Sequence, residues 1–164
     1  MNLLWQAVEP SYKTYLQLVV LIDMVFLAIA VIVICALFPE WQWLPAPLWI
    51  GIPWAVLTLI MAFIWSARRL QFTAYARSPE AVLLRRGALW QSTRAVPLNR
   101  IQHVEVRQGA LERLLGLAHL VLYTAGSSGA DLSIPGLQLA TAETIKNELI
   151  LTIAKEPTEQ ESHE

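Results

Sequence analysis

The stretch LVVLIDMVFLAIAVIVICALF, running from Leu18 to Phe38, decides how the rest of the chain is read. Only Asp23 interrupts it. A helix rises about 1.5 Å per residue, so a run of this length covers about 32 Å, against a hydrocarbon core of roughly 30 Å. A helix on a soluble domain alternates apolar and polar faces. This one is apolar all round, and so is Leu48 to Trp65, which carries no charge. The sequence therefore predicts two membrane-spanning helices, over residues 18–38 and 48–65. The first is too long for the core of a signal peptide, and no small-residue cleavage pattern follows it. Val33-Ile34 before Cys35 lacks the small residue that a lipoprotein signal places there. As the lone cysteine, Cys35 excludes an intrachain disulfide and a cysteine-based zinc cluster.

The link between the runs, residues 39–47, is short and has no Lys or Arg, so the two helices are antiparallel neighbours. Lys13 precedes the first run, and Arg68 and Arg69 follow the second. Positive flanks stay on the cytoplasmic side, which predicts a multi-pass protein of a cytoplasmic membrane with both termini inside. Trp5, Tyr12 and Tyr15 at one end, and Trp41, Trp43 and Trp49 at the other, suit interfacial belts. Pro53 falls in the first turns of the second run, where a missing N–H is tolerated. Asp23 is costly inside lipid and needs a partner or water. It reads as a hydrogen-bonding group toward a neighbouring helix rather than a proton relay, because neither run holds a second ionisable residue to pass a proton on.

Composition agrees. Apolar residues make up 55% of the chain and charged residues 15%, where soluble domains carry about 45–50% and about 25%. That balance excludes disorder and a nucleic-acid-binding tail. The net charge of -1 hides three zones: residues 1–65 are mildly acidic, residues 66–121 hold nine arginines against three glutamates, and the remainder is acidic.

After Arg69 the continuous apolar pattern gives way to alternation. Strands are expected over 71–77, 81–86, 89–96, 101–108, 118–124 and 131–135, with a tight hairpin at Arg86-Gly87-Ala88 and turns at Ser78-Pro79-Glu80 and Gly126-Ser127-Ser128-Gly129. A short helix is expected at 110–115 and an amphipathic one over 138–155, with Leu139, Ala142, Ile145, Leu149 and Ile153 in one stripe. Alternation puts Val104, Val106, Leu120, Leu122, Leu132 and Ile134 inside, with Ile145 and Leu149 covering them and His103 on the opposite strand face. The expected organisation is a cytoplasmic or interfacial N-terminus (1–17), the two spans and their external loop, a cytoplasmic antiparallel sheet domain (70–155) capped by its last helix, and an acidic tail (156–164). The order of strands then helix is that of a pleckstrin-homology-like barrel.

One stretch is more specific. Arg100-Ile101-Gln102-His103-Val104-Glu105-Val106-Arg107-Gln108-Gly109, followed by Leu111-Glu112-Arg113-Leu114-Leu115-Gly116-Leu117-Ala118 and Tyr123-Thr124-Ala125-Gly126, resembles the signature of the bacterial pleckstrin-homology-like, membrane-flanked domain family. The opening Glu9-Pro10-Ser11-Tyr12-Lys13-Thr14-Tyr15, with two spans and one domain, resembles its small single-domain YdbS-like branch. The resemblance implies a bacterial inner-membrane protein and no agreed activity. It also implies a joint complex with a larger relative carrying several copies of the domain.

No motif for catalysis is found. There is no phosphate-cradling glycine loop and no HExxH, and Gly126-Ser127-Ser128-Gly129 lacks the glycine spacing of a nucleophile elbow. His103 and His119 lie on neighbouring strands close enough to approach each other, but two histidines without an acid or thiolate make a poor metal site, and His163 is in the tail. No catalytic residue, metal or cofactor is expected. What remains is the arginines: Arg68, Arg69, Arg85, Arg86, Arg94, Arg100, Arg107 and Arg113, beside a leaflet where each basic residue gains roughly 1 kcal/mol. Arg85 and Arg86, adjacent on a strand, point to opposite faces and do not clamp one phosphate. The sequence thus predicts a non-catalytic adaptor or assembly module, acting in a hetero-complex or as a homo-oligomer and touching lipid but no nucleic acid. The alternative is a sensor of anionic lipid head groups through the arginines, and a third, weaker reading is an enzyme or carrier using Asp23.

Overall fold

The computed structural model describes residues 4–37, 47–125 and 131–160. The link with Trp41 and Trp43, the turn at 126–129, His163 and the end of the acidic tail lie outside the described residues, as do the side chains of Cys35 and Trp49.

The first long helix, α1 (Ser11–Leu37), starts seven residues before the apolar run. Residues before it also enter the domain: β1 (Gln6–Ala7) pairs antiparallel with β2 (Ala74–Arg77), Gln6 opposite Tyr75 and Ala7 opposite Ala74. Part of the N-terminal segment 1–17, expected to stand apart from the sheet domain, thus belongs to it, through β1 and the buried Val8, Tyr12 and Leu16. The cause is a second apolar pattern beneath the first. Val8, Tyr12 and Leu16 are buried in the core of the sheet domain, and Tyr12 and Leu16 lie one turn apart on a helix face. Tyr12 is therefore a core residue stacked on Tyr15, with ring centroids 5.8 Å apart, and not part of an exposed belt.

The second helical stretch is unbroken through α2 (Pro47–Ile60), a π-helical turn (Met61–Trp65) and α3 (Ser66–Gln71). Hydrophobicity ends at Trp65, but the helix does not, because Arg68, Arg69 and Leu70 are good helix formers. It stops where Thr73 donates its buried hydroxyl to the Arg69 carbonyl at 2.6 Å. The strand expected from Gln71 consequently begins at Ala74.

The rest of the chain forms β3 (Ala81–Gly87), β4 (Gln91–Pro97), a 3-10 turn (Leu98–Arg100), β5 (Ile101–Arg107), α4 (Ala110–Leu114), β6 (Leu117–Thr124), β7 (Leu132–Gln138) and α5 (Leu139–Gln160). Two antiparallel sheets result, ordered β1-β2-β3-β4 and β5-β6-β7. The β3–β4 hairpin closes at Gly87 opposite Gln91, so Ala88, Leu89 and Trp90 form its tip and the expected strand loses its first two residues. The close approach requires a glycine: a Cβ on Gly87 would lie 2.3 Å from the Trp90 carbonyl oxygen.

The inner residues sit in cross-strand rows. Val104 faces Leu122, which faces Leu132; Val106 faces Leu120, which faces Ile134. All are buried except Val106, which is half-buried against the others. Ala142, Ile145 and Leu149 of α5 cover this layer, with Ile153 partly buried, whereas Leu139 at the helix start is exposed. Val82, Leu84 and Val96 from the other sheet complete one continuous core. The ion pair of Arg77 with Glu148 ties β2 to α5. The last helix, expected to end at residue 155, continues to Gln160.

Candidate functional site

The register of the β3–β4 hairpin determines where its arginines go. Leu84 is opposite Arg94, and Arg86 is opposite Ser92. On an antiparallel pair such residues share one face, so Val82, Leu84, Arg86 and Arg94 lie on one sheet face, which is buried at Val82 and Leu84, half-buried at Arg86 and exposed at Arg94. Arg86 and Arg94 are diagonal neighbours, a separation that long side chains bridge. Arg85 belongs to the outer face, where its guanidinium lies 4.7 Å from the ring centroid of Trp5.

Arg86 and Arg94 open into a cleft of about 450 Å³. Its other walls are Trp65 and Arg69 from the second helical stretch, the hairpin tip Ala88-Leu89-Trp90, Ser92, and Asp131, Leu132 and Ser133 at the start of β7. Arg69 reaches it with its guanidinium 5.0 Å from the Trp65 ring centroid. Asp131 is the one carboxylate among the described lining residues, and it is engaged: its Oδ2 accepts the Thr124 backbone N–H at 2.8 Å and the Thr124 hydroxyl. Burial holds the Arg86 pKa below the usual arginine value; neighbouring Arg69 lowers it further, and Arg94 does so to a smaller degree. Guanidinium groups stay protonated regardless. The cleft is thus a place where three cations are held together at an electrostatic cost, presenting planar N–H forks suited to carboxylate or phosphate.

The other arginines disperse. Arg68 is exposed on α3, and Arg100 on the 3-10 turn. Arg107 is on β5, paired with Glu105 at 3.0 Å. The eight arginines of the sequence reading therefore form no single face; Arg69, Arg86 and Arg94 converge on the cleft, and Arg68, Arg85, Arg100, Arg107 and the exposed Arg113 do not line it. Sequence reasoning missed Trp65, Ser92, Asp131 and Ser133, and the diagonal placement of Arg86 and Arg94 on one sheet face. The signal was the hairpin loop length, since a two-residue loop and a three-residue loop give different partners.

The histidines do not approach each other. His103 is opposite Tyr123 and Arg107 is opposite His119, which separates the two histidines by most of the β5–β6 ladder. His119 instead meets Glu112, Nδ1 to Oε2 at 3.0 Å, while Glu112 Oε2 also accepts the Gly109 N–H at 2.8 Å. Glu112 is 4% exposed, buried by this double engagement at the start of α4. Among the described residues no group of three metal-ligating side chains is found. Asp23 is exposed on α1.

Two antiparallel sheets with a C-terminal helix across one of them make an α+β domain, preceded by two long apolar helices. The chain belongs to the bacterial PH domain family, whose model matches residues 14–151. No curated protein and no solved structure matches it.

Proposed function

We propose that the chain is a two-span protein of the bacterial inner membrane that presents its PH domain to the cytoplasm as a non-catalytic assembly module, in the manner of the single-domain YdbS-like branch. Its partner is a second membrane protein, either a larger relative with several copies of the domain or another copy of this chain. The observation that carries the reading is exposure. Two helical stretches, Ser11–Val33 and Gly51–Gln71, are long and apolar enough to cross a membrane, and only 6% and 11% of their most apolar windows are buried. Phe26, Ile32, Ile52 and Phe63 are each more than half exposed. The core helix of a soluble protein buries such residues, and contiguous apolar surface of this extent marks a membrane or partner contact. A family built on a binding-type domain fits an adaptor role better than catalysis.

The test is topology. A reporter fused after Glu164 is active only in its cytoplasmic form, and a cysteine placed at Gln42 is labelled from outside the membrane. Labelling from the cytoplasmic side alone overturns the orientation, and release of the protein by alkaline carbonate overturns the spans.

A further inference from the structure

From the cleft formed by Arg69, Arg86 and Arg94 we infer a binding site for the phosphate of an anionic phospholipid, drawn from the same bilayer that the two helices enter. The inference rests on the membrane reading above and adds a ligand and a place to it.

The location follows from the helix. Trp65 ends the apolar run, and Arg69 lies one turn further along the same unbroken helix. A cleft walled by both residues sits at head-group depth when the apolar run occupies the hydrocarbon. The cleft's other rim is the β3–β4 tip, where Leu89 is 72% and Trp90 84% exposed. An isolated exposed apolar residue is ordinary, but an adjacent Leu and Trp beside a helix end suit the interfacial layer, where tryptophan is enriched. A lipid whose acyl chains lie along Trp65 and the hairpin tip would bring its phosphate to the arginines.

Charge supplies the second argument. Arg86 and Arg94 are like charges on one sheet face, and such pairs are destabilising without a counter-ion. Among the described residues no ion pair with a carboxylate engages Arg69, Arg86 or Arg94, whereas Arg77 and Arg107 each have one. Asp131 cancels part of the charge and leaves the lining cationic. A phosphodiester offset by guanidinium forks would relieve the repulsion.

The experiment places the full-length protein in bilayer discs of equimolar phosphatidylglycerol and phosphatidylcholine. It reads, with spin-labelled lipids, how much more phosphatidylglycerol than phosphatidylcholine the protein immobilises. The unsubstituted protein shows a clear excess of phosphatidylglycerol. Arg86→Gln and Arg94→Gln each reduce that excess about five-fold, and Arg113→Gln, an exposed position outside the cleft, leaves it unchanged. Equal loss in Arg113→Gln, or no excess at all, overturns the site. Displacement of the labelled lipid by inorganic phosphate at constant ionic strength assigns the cleft to soluble phosphate and overturns the lipid assignment. If Arg86→Gln fails to fold, Arg94→Gln carries the test, because its side chain is exposed. If the protein stays soluble without detergent, the membrane reading fails separately. Flotation with phosphatidylglycerol vesicles then decides the cleft by the same comparison of variants.

Discussion

Tyr12, in the first turn of α1, lies directly over Gly136 in β7: a Cβ on that glycine would come within 2.5 Å of the tyrosine Cγ. The same glycine has a φ of +67° and accepts the Glu9 N–H at 2.8 Å. The base of the first long helix is thus seated on the second sheet by one residue without a side chain.

Gly136→Ala should destabilise the domain by more than Gly116→Ala. Both glycines have positive φ, but a Cβ on Gly116 meets nothing within 4 Å. Gly116→Ala therefore carries only the left-handed strain of about 1–2 kcal/mol, while Gly136→Ala also displaces Tyr12. Thermal unfolding of the two variants in detergent measures the difference, and equal melting shifts would show that Tyr12 moves aside without cost.

Leu149→Ala should cost about 2–5 kcal/mol, the range for truncating a buried leucine, because Leu149 is 5% exposed beneath the β5-β6-β7 sheet. His103→Ala, at an exposed position on β5, should change stability little. Denaturant melts of both variants test the assigned strand register, since a slip of one residue would exchange the two outcomes.

Glu112→Ala should cost about 1–3 kcal/mol by stranding the Gly109 N–H and removing the partner of His119. Glu112→Gln keeps an acceptor for Gly109 and should cost less. Hydrogen exchange at the Gly109 amide distinguishes the variants, with the alanine form exchanging faster.

The carboxyl of Glu105 is held below its ordinary range, chiefly by the hydrogen bond from Arg107, with Tyr123 donating a further one at 3.2 Å. A depressed carboxylate stabilises the fold above its unfolded pKa, and the contribution is lost as pH falls through the lowered folded value. Arg107→Gln should move the Glu105 titration upward, toward the ordinary carboxylate range, as read by carboxyl NMR shifts. An unchanged midpoint would mean that the pair is absent in solution.

Asp23→Leu should leave the protein inserted and folded but weaken its co-purification with the proposed partner, while Asp23→Asn should be nearly silent, because an amide retains a hydrogen bond without the charge. Equal damage from both would transfer the role of Asp23 to a proton relay. Silence in both would move the partner surface to the sheet domain.

The inner rows were legible because period-two alternation is visible over strands as long as β5 and β6, and the Ile145–Leu149 stripe because α5 repeats it over several turns. Strand β1 was not legible, since two residues carry no period. The extension through Arg68 and Arg69 was hidden because hydrophobicity ends before the helix does. The cleft depends on which residue of β4 stands opposite Leu84, which is set by a loop whose length the residues Arg86-Gly87-Ala88 left open. The charge of the site was therefore readable from the sequence, and its assembly was not.

The pairing of Gln6 with Tyr75 makes the two long helices an insertion within one domain, entered after β1 and left before β2. During synthesis the first strand must wait for the whole helical hairpin to emerge before its partner exists, and contacts this distant in sequence form late. A fragment beginning after Gln71 would lack Val8, Tyr12 and Leu16, three members of its own core. Emergence of both helices thus precedes closure of the sheet domain, and under the proposed two-span reading the domain would be completed only at the membrane.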